Sequence, residues 1–221
     1  MKMKSVFAAG AVAAAALAMS APASAATVFD FGANAGGMQT TPNPDIYSLT
    51  VGGVTVTARA YTGLSSILNQ VSFANQADVT HNSAGLGVRG NNSGEINDNG
   101  LLSLGEGLLL SFDQEVTLTQ ALFGNFGPSD SVSFEWGSPL NEGETLDALT
   151  VVGGAFNGSF TGTQFFFAAN SFTKDSFRLS GVTVDSAVPE PATWLMMILG
   201  FGAVGATMRR RSATRLSVSY A

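Results

Sequence analysis

The sequence predicts an all-β body that folds as an antiparallel two-sheet sandwich of the jelly-roll type. Short apolar runs recur along the chain and are separated by Gly, Asn, Asp and Ser, which favour turns. Several runs alternate apolar and polar residues with a period of two, as half-buried strands do. No helical stripe of convincing length occurs between Ala26 and Ser186. Many short strands with turn signals at this spacing favour a sandwich.

Eleven segments of the body are predicted to be strands. In chain order they are Thr27–Phe31, Ile46–Val51, Val54–Tyr61, Ile67–Phe73, Gly85–Arg89, Gly107–Phe112, Val116–Phe123, Ser131–Trp136, Leu146–Val151, Gln164–Ala168 and Ser176–Val184. The Gly52-Gly53 pair lies between the second and third of them and predicts a two-residue hairpin turn.

The N-terminal 25 residues have the pattern of a secretory signal peptide. Lys2 and Lys4 form a basic n-region, and Val6–Met19 forms an apolar, Ala-rich h-region. The small residues Ala23-Ser24-Ala25 form an A-x-A cleavage site, so we expect the mature chain to begin at Ala26. The partners that this pattern implies are an export translocase and a signal peptidase. Residues 26–186 then form the exported body.

The C-terminal region combines three features in a fixed order. Pro189-Glu190-Pro191 favours an extended backbone and delays the start of a helix. Ala192–Met208 follows, 17 residues without a charge, at the short end of what can cross a bilayer. Arg209, Arg210 and Arg211 resist translocation, so residues 212–221 are predicted to be a cytoplasmic tail. The alternatives are a plain C-terminal anchor and a buried core helix with a basic cap.

These C-terminal residues resemble the PEP-CTERM sorting signal of Gram-negative bacteria, which an exosortase processes. Pro189-Glu190-Pro191 with Trp194 is similar to the variant that has Trp three residues after the second Pro. That variant usually has Ala after the Trp, where this chain has Leu195. The resemblance covers residues 187–211. It implies export, transient anchoring in the inner membrane with the body in the periplasm, and then delivery to the cell surface or the extracellular space.

Charge and residue usage exclude several function classes. Residues 26–190 contain four basic and 16 acidic residues, a net charge of −12, which is the wrong sign for nucleic-acid binding. The chain has no Cys and a single His, His81, which excludes disulfides, thiolate catalysis and Cys- or His-rich metal sites. His81 could act as a lone base, but no Gly-x-Ser-x-Gly elbow accompanies it. A carboxylate pair for glycoside hydrolysis stays open, because its separation is a three-dimensional property.

The polar loop from Gly90 to Gly100 is the one segment that suggests a ligand. Carboxylate and amide oxygens in a flexible, glycine-punctuated loop are what Ca²⁺ prefers. The candidate ligands are Glu95, Asn97, Asp98, Asn99 and Glu106. The spacing does not fit an EF-hand, and a solvated, turn-rich loop uses the same residues. This loop and its flanking segments also resemble a pattern common in bodies attached to the sorting signal, which implies a shared sandwich and no activity.

Three functions of the body follow as hypotheses. The first is a structural, non-enzymatic surface or matrix protein associated with exopolysaccharide. The second is a lectin-like glycan-binding module in which Trp136 and the calcium loop form the site, although Trp136 could equally belong to the core. The third is a secreted hydrolase, which the missing His and Cys chemistry disfavours. The sequence therefore predicts a protein that is not an enzyme.

Overall fold

The computed structural model describes residues 24–39, 45–65, 70–90, 94–98, 104–169, 175–187 and 191–210. These residues belong to two compact units. One is Ala25–Ser186, the body; the other comprises residues 1–24 and 187–221, of which one helix is the main described part. The predicted signal-peptide residues 1–23, together with Pro189, Glu190, Arg211 and the predicted tail 212–221, lie outside the described residues.

Twelve β-strands make up the described part of the body. They are β1 (Ser24–Asp30), β2 (Met38–Gln39), β3 (Ile46–Val51), β4 (Val54–Ser65), β5 (Asn75–Asn82), β6 (Gly85–Arg89), β7 (Ile96–Asp98), β8 (Leu104–Gly124), β9 (Val132–Gly137), β10 (Asp147–Leu149), β11 (Ala155–Ala169) and β12 (Asp175–Ala187). A short 3-10 turn, Ala35–Gly37, precedes β2.

The strands pair into one continuous sheet that closes on itself. The order of neighbours is β10-β9-β11-β8-β12-β6-β5-β4-β3-β2, and an additional β8–β4 pairing closes the ring β8-β12-β6-β5-β4. β1 and β7 both join β12 outside this path. The all-β class is confirmed, and neighbouring strands such as β4 and β8 or β12 and β8 run antiparallel. The predicted division into two sheets is not found among the described strands, which form one sheet because β8 pairs along its whole length. The jelly-roll connectivity stays a prediction.

One long strand, β8, explains why the described strands form one sheet. Its first half pairs with β4 from Leu104 to Phe112, and its second half pairs with β12 from Val116 to Gly124. β11 follows β8 along its other edge through both halves. The sequence predicts two strands here because exposed polar residues interrupt the apolar pattern between Phe112 and Val116. The backbone nevertheless continues through them and only changes its neighbour.

Aromatic side chains fill the core on both faces of β11. Phe165 and Phe167 are fully buried in the main core, and Phe166 is fully buried in a second cluster on the opposite face with Tyr61 and Leu109. Consecutive side chains of a strand point to opposite faces, so three buried Phe in a row require cover on both sides. The segments around Val71 and Glu144 are joined by a backbone hydrogen bond and cover part of the second cluster.

One predicted strand is wrong, and the strands β2, β5 and β7 are not among the predicted ones. Ile67–Phe73 is not a strand in its described part, where Gln70 makes only an isolated bridge to Thr145. β5 was not predicted, because its sequence Asn-Gln-Ala-Asp-Val-Thr-His-Asn is almost entirely polar. Its pairing with β6 on one side and β4 on the other holds it in the sheet despite this composition.

The second unit contains the helix α1, Pro191–Arg210. It begins at Pro191, a favourable first position because Pro has no N–H to leave unpaired there. Several of its apolar side chains, among them Ile198, Leu199 and Phe201, are exposed. In the part of the chain that the structure describes, no helix meets the combined length and apolarity required for a membrane crossing. The crossing predicted for residues 192–208 is therefore not confirmed.

Candidate functional site

The candidate site is the polar cluster around β7, formed by described residues of the predicted calcium loop and by β8 and β12. Asp98 on β7 and Glu106 on β8 are both buried, with 1% of their surface exposed. The Asn97 N–H donates a hydrogen bond of 3.1 Å to Glu106 Oε2, which ties the loop to β8. A side chain at Gly90 would collide with the Glu106 carboxylate, so the loop approaches that carboxylate closely.

A third buried carboxylate faces Asp98 across the strand pair. Asp175 on β12 is 1% exposed and is the cross-strand partner of Asp98. The backbone N–H and the hydroxyl of Ser131 both donate to the Asp175 carboxylate at 2.9 Å. Buried carboxylates are stable only when they are hydrogen-bonded, paired with a cation or bound to a metal. Sequence analysis missed Asp175, because it lies one residue before the predicted strand Ser176–Val184.

A buried arginine lies on β12 near Glu95 of the same loop. Arg178 on β12 is 5% exposed, and its Nη1 donates to the Gly85 carbonyl oxygen at 3.1 Å. Burial lowers the pKa of Arg178, and the nearby Glu95 carboxylate opposes that shift. Among the described residues, the buried Nε of Arg178 has no hydrogen-bond partner. Nothing in the local sequence distinguishes it from an exposed arginine, except that it stands between Phe177 and Leu179.

Glu95 contacts two residues, Asn125 and Ser176, that are not among the predicted calcium ligands. One of its carboxylate oxygens accepts a hydrogen bond of 2.7 Å from Asn125 Nδ2, and the other accepts one from the Ser176 hydroxyl. The structure thus brings Asn97 and Glu106 together and places Glu95 beside Ser176. Asn99 lies outside the described residues. Within those residues, no three or more His, Cys, Asp or Glu side chains are arranged to hold a metal ion.

Trp136 lies at the edge of the main core. Its ring stacks on Phe134 with a centroid distance of 5.7 Å and packs against Phe160 at 4.3 Å. The side chain is half-buried, so part of the ring stays open to solvent. The adjacent Glu135 accepts a hydrogen bond from the Trp136 N–H at 3.2 Å, yet burial raises the pKa of Glu135, assisted by Asp147 and Glu144.

His81 is held by contacts that suit a structural role. Its Nε2 lies 2.7 Å from the Phe31 carbonyl oxygen, which can only accept, so Nε2 carries the proton and donates it. Its ring stacks parallel to Tyr47. Burial, together with the Asp30 charge, raises the pKa of Tyr47 to about 12, so Tyr47 stays neutral and its hydroxyl donates to the Asn34 carbonyl oxygen.

The comparisons with known proteins concern the C-terminal region. Residues 187–211 match the family model of the PEP-CTERM protein-sorting motif. No curated protein and no solved structure matches the chain. The chain therefore carries a PEP-CTERM protein-sorting motif at residues 187–211. The motif implies export and processing by exosortase, a membrane peptidase.

The structure describes only some of the predicted sorting residues. Pro191, Trp194, Arg209 and Arg210 all belong to α1. The Pro-Glu part of the motif, residues 189 and 190, precedes the helix in the chain. The resemblance found from the sequence is confirmed by the family match. The individual roles of these residues stay predictions.

The calcium hypothesis predicts a calcium-dependent gain in thermal stability. A ligand that binds only the folded state at about ten times its Kd adds about 1.4 kcal/mol. Extracellular calcium sites are weak, so the melting temperature should be compared between chelator and millimolar calcium. Glu106→Gln should abolish the gain, whereas Glu115→Gln, an exposed carboxylate outside the cluster, should retain it. An unchanged melting temperature of the wild type would remove the hypothesis.

Proposed function

We propose that this protein is a structural, non-enzymatic surface or matrix component that is delivered by exosortase sorting and associates with exopolysaccharide. The observation that carries the proposal is the sorting motif at residues 187–211, which follows directly on an all-β body. The match supports export through a membrane-anchored sorting step. The role of the body is inferred from its chemistry.

The C-terminal helix is the segment to which we assign the membrane step of this route, on the grounds of its length and its flanking arginines. Its 20 residues correspond to about 30 Å, roughly the thickness of a bilayer core. The exposed apolar residues on it include Val204 and Met208. The arginines at 209–211 would keep their side of the helix in the cytoplasm. We propose that the helix anchors the chain in the inner membrane until the motif is processed.

The start of the body supports the proposed signal-peptide cleavage before Ala26. Thr27 is 8% exposed and Phe29 is fully buried, so the buried residues of the body begin directly after Ala26. Residues 25 and 26 are exposed, and a signal peptidase could reach the bond between them before β1 pairs with β12. Among the described residues, cleavage there would remove none that belongs to the hydrophobic core.

Two features support a non-enzymatic body. His81, the single histidine of the chain, donates its Nε2 proton to a backbone carbonyl and stacks on Tyr47, an arrangement that suits a structural tie rather than a base. The net charge of −12 for residues 26–190 favours solubility in an exported protein. An acidic, cysteine-free β-body of this kind suits a component of a hydrated polysaccharide layer.

The sorting proposal predicts that Glu190→Ala blocks C-terminal processing and leaves membrane insertion intact. The substitution changes the extended peptide but not the helix or the arginines, so the uncleaved protein should accumulate in the membrane fraction. The measurement is the intact mass and the fractionation of the protein in a producing strain that has an exosortase. Replacing Arg209, Arg210 and Arg211 by Ser is the comparison, because it should impair retention and orientation instead. Equal mass and location of wild type and Glu190→Ala would leave only a plain anchor.

A second candidate is a glycan-binding module, which the half-exposed ring of Trp136 favours. Aromatic faces stack on sugars, and one such contact contributes about 1 kcal/mol, close to a fivefold change in affinity. Trp136→Leu keeps apolar packing against Phe160 and removes the aromatic face. Titration of the purified protein with neutral and acidic polysaccharides, with and without calcium, should show about fivefold weaker binding for this variant. Absence of binding by the wild type would reject the module.

A further inference from the structure

The first and last strands of the body are neighbours. The Phe31 N–H, just after β1, donates to the Ser180 carbonyl oxygen of β12 at 2.9 Å. One residue later on β12, Gly181 lies against the Phe29 carbonyl oxygen, only 2.6 Å from the place of an added Cβ. A later residue of β12 thus contacts an earlier residue of β1, so the two strands are antiparallel. The start of β1 therefore lies beside the end of β12.

These two ends are also the two sites where the chain is expected to be processed. The proposed signal-peptidase site, Ala25 and Ala26, lies inside β1. The sorting motif begins at residue 187, where β12 ends. Each processing event thus occurs at the margin of a strand that is part of the folded sheet, and the two strands are hydrogen-bonded neighbours.

Both edges of β12 are occupied. β8 pairs with one edge from Arg178 to Ser186. β6 pairs with the other edge at Leu179, and β1 contacts the residues that follow, Ser180 and Gly181. β7 also pairs with β12, from Asp175 to Phe177. The part of β12 nearest the sorting motif thus has β1 as its second neighbour. Without β1, the chain from residue 180 to 187 would be an open edge.

We propose that the β1–β12 pair is a latch that sets the upstream limit of C-terminal processing at Ala187. Peptidases that bind an extended peptide use its backbone hydrogen-bonding groups, as an added strand does. Those groups are occupied in β12 while β1 is in place, so cleavage within β12 requires local opening of the sheet. Only the chain beyond Ala187 is then available. The inference rests on the proposed sorting route for its biological meaning.

Gly181→Ala tests the latch, because its methyl group would collide with the Phe29 backbone. Gly36→Ala is the matched control, since a Cβ there meets nothing within 4 Å. The full-length proteins are produced in the exosortase-containing strain, and the purified proteins are also treated briefly with subtilisin. We expect wild type and Gly36→Ala to keep every residue through Ala187. Products truncated between residues 180 and 187 should be at least tenfold more abundant for Gly181→Ala than for wild type or Gly36→Ala. The same product pattern for all three proteins would overturn the latch.

A disulfide lock keeps the test decisive if Gly181→Ala fails to fold. The register of the Phe31–Ser180 contact places Val28 beside Thr183, and the chain has no Cys of its own. Val28→Cys with Thr183→Cys should crosslink in the oxidising periplasm, whereas Val28→Cys with Val152→Cys should not. The locked protein should be processed at the wild-type rate. Failure to crosslink, or processing slowed several-fold by the lock, would contradict the proposal.

The subtilisin digestion distinguishes failure of the latch from failure of the sorting proposal. It measures how well β12 is protected from cleavage in the purified protein, independently of any exosortase. If Glu190→Ala has no effect in cells while Gly181→Ala is still truncated by subtilisin, the latch stands and sorting fails. If Glu190→Ala blocks processing and subtilisin treats all proteins alike, sorting stands and the latch fails.

Discussion

Backbone pairing along β12 is the interaction on which the rest of the body depends. β12 is the last strand of the body in sequence, yet it connects β8 with β6, β7 and β1. It contributes Phe177, Leu179, Val182 and Val184 to the main core, all at most 1% exposed. The ring of strands cannot close without it, so the fold of the body requires the chain as far as the end of β12. The sorting motif begins at that same position.

The polar cluster around β7 depends on the same strand. Asp175 faces Asp98, Ser176 donates to Glu95, and Arg178 donates to the Gly85 carbonyl oxygen. Charged groups in a low-dielectric interior are costly unless each is hydrogen-bonded or paired. We therefore interpret the cluster first as a polar network that fixes the loop after β6 on the body. Any ligand that the loop binds would act on a scaffold which β12 already holds.

Sequence analysis identified strands where apolar and polar residues alternate, and it failed where packing overrides that pattern. β3 and β6 have the predicted bounds, and their alternating or apolar sequences explain this. β5 is polar and is held in the sheet by its neighbouring strands. β8 is one strand, but the sequence predicts two because the polar residues Asp113 and Glu115 interrupt its apolar pattern. The local alternation of apolar and polar residues does not reveal pairing between strands that are distant in the sequence.

The sites divide in the same way. The sorting signal is a linear arrangement of prolines, an apolar helix and arginines, so one stretch of sequence is sufficient to identify it. The polar cluster combines residues from β6, β7, β8 and β12, and neither Arg178 nor Asp175 has a local signature. For Trp136, both interpretations of the sequence were reasonable because the residue is half-buried at the edge of the core.

Hydrogen exchange of the mature protein tests the central role of β12 most directly. Amides of Arg178 to Val184 should exchange only through global unfolding, as slowly as those of Leu108 to Leu110 in β8, and protection should end at Ala187. Exchange in β12 that is 100-fold faster than in β8, while the protein stays folded, would show that β12 opens independently. That result would contradict both its role in closing the sheet and the proposed limit on C-terminal processing.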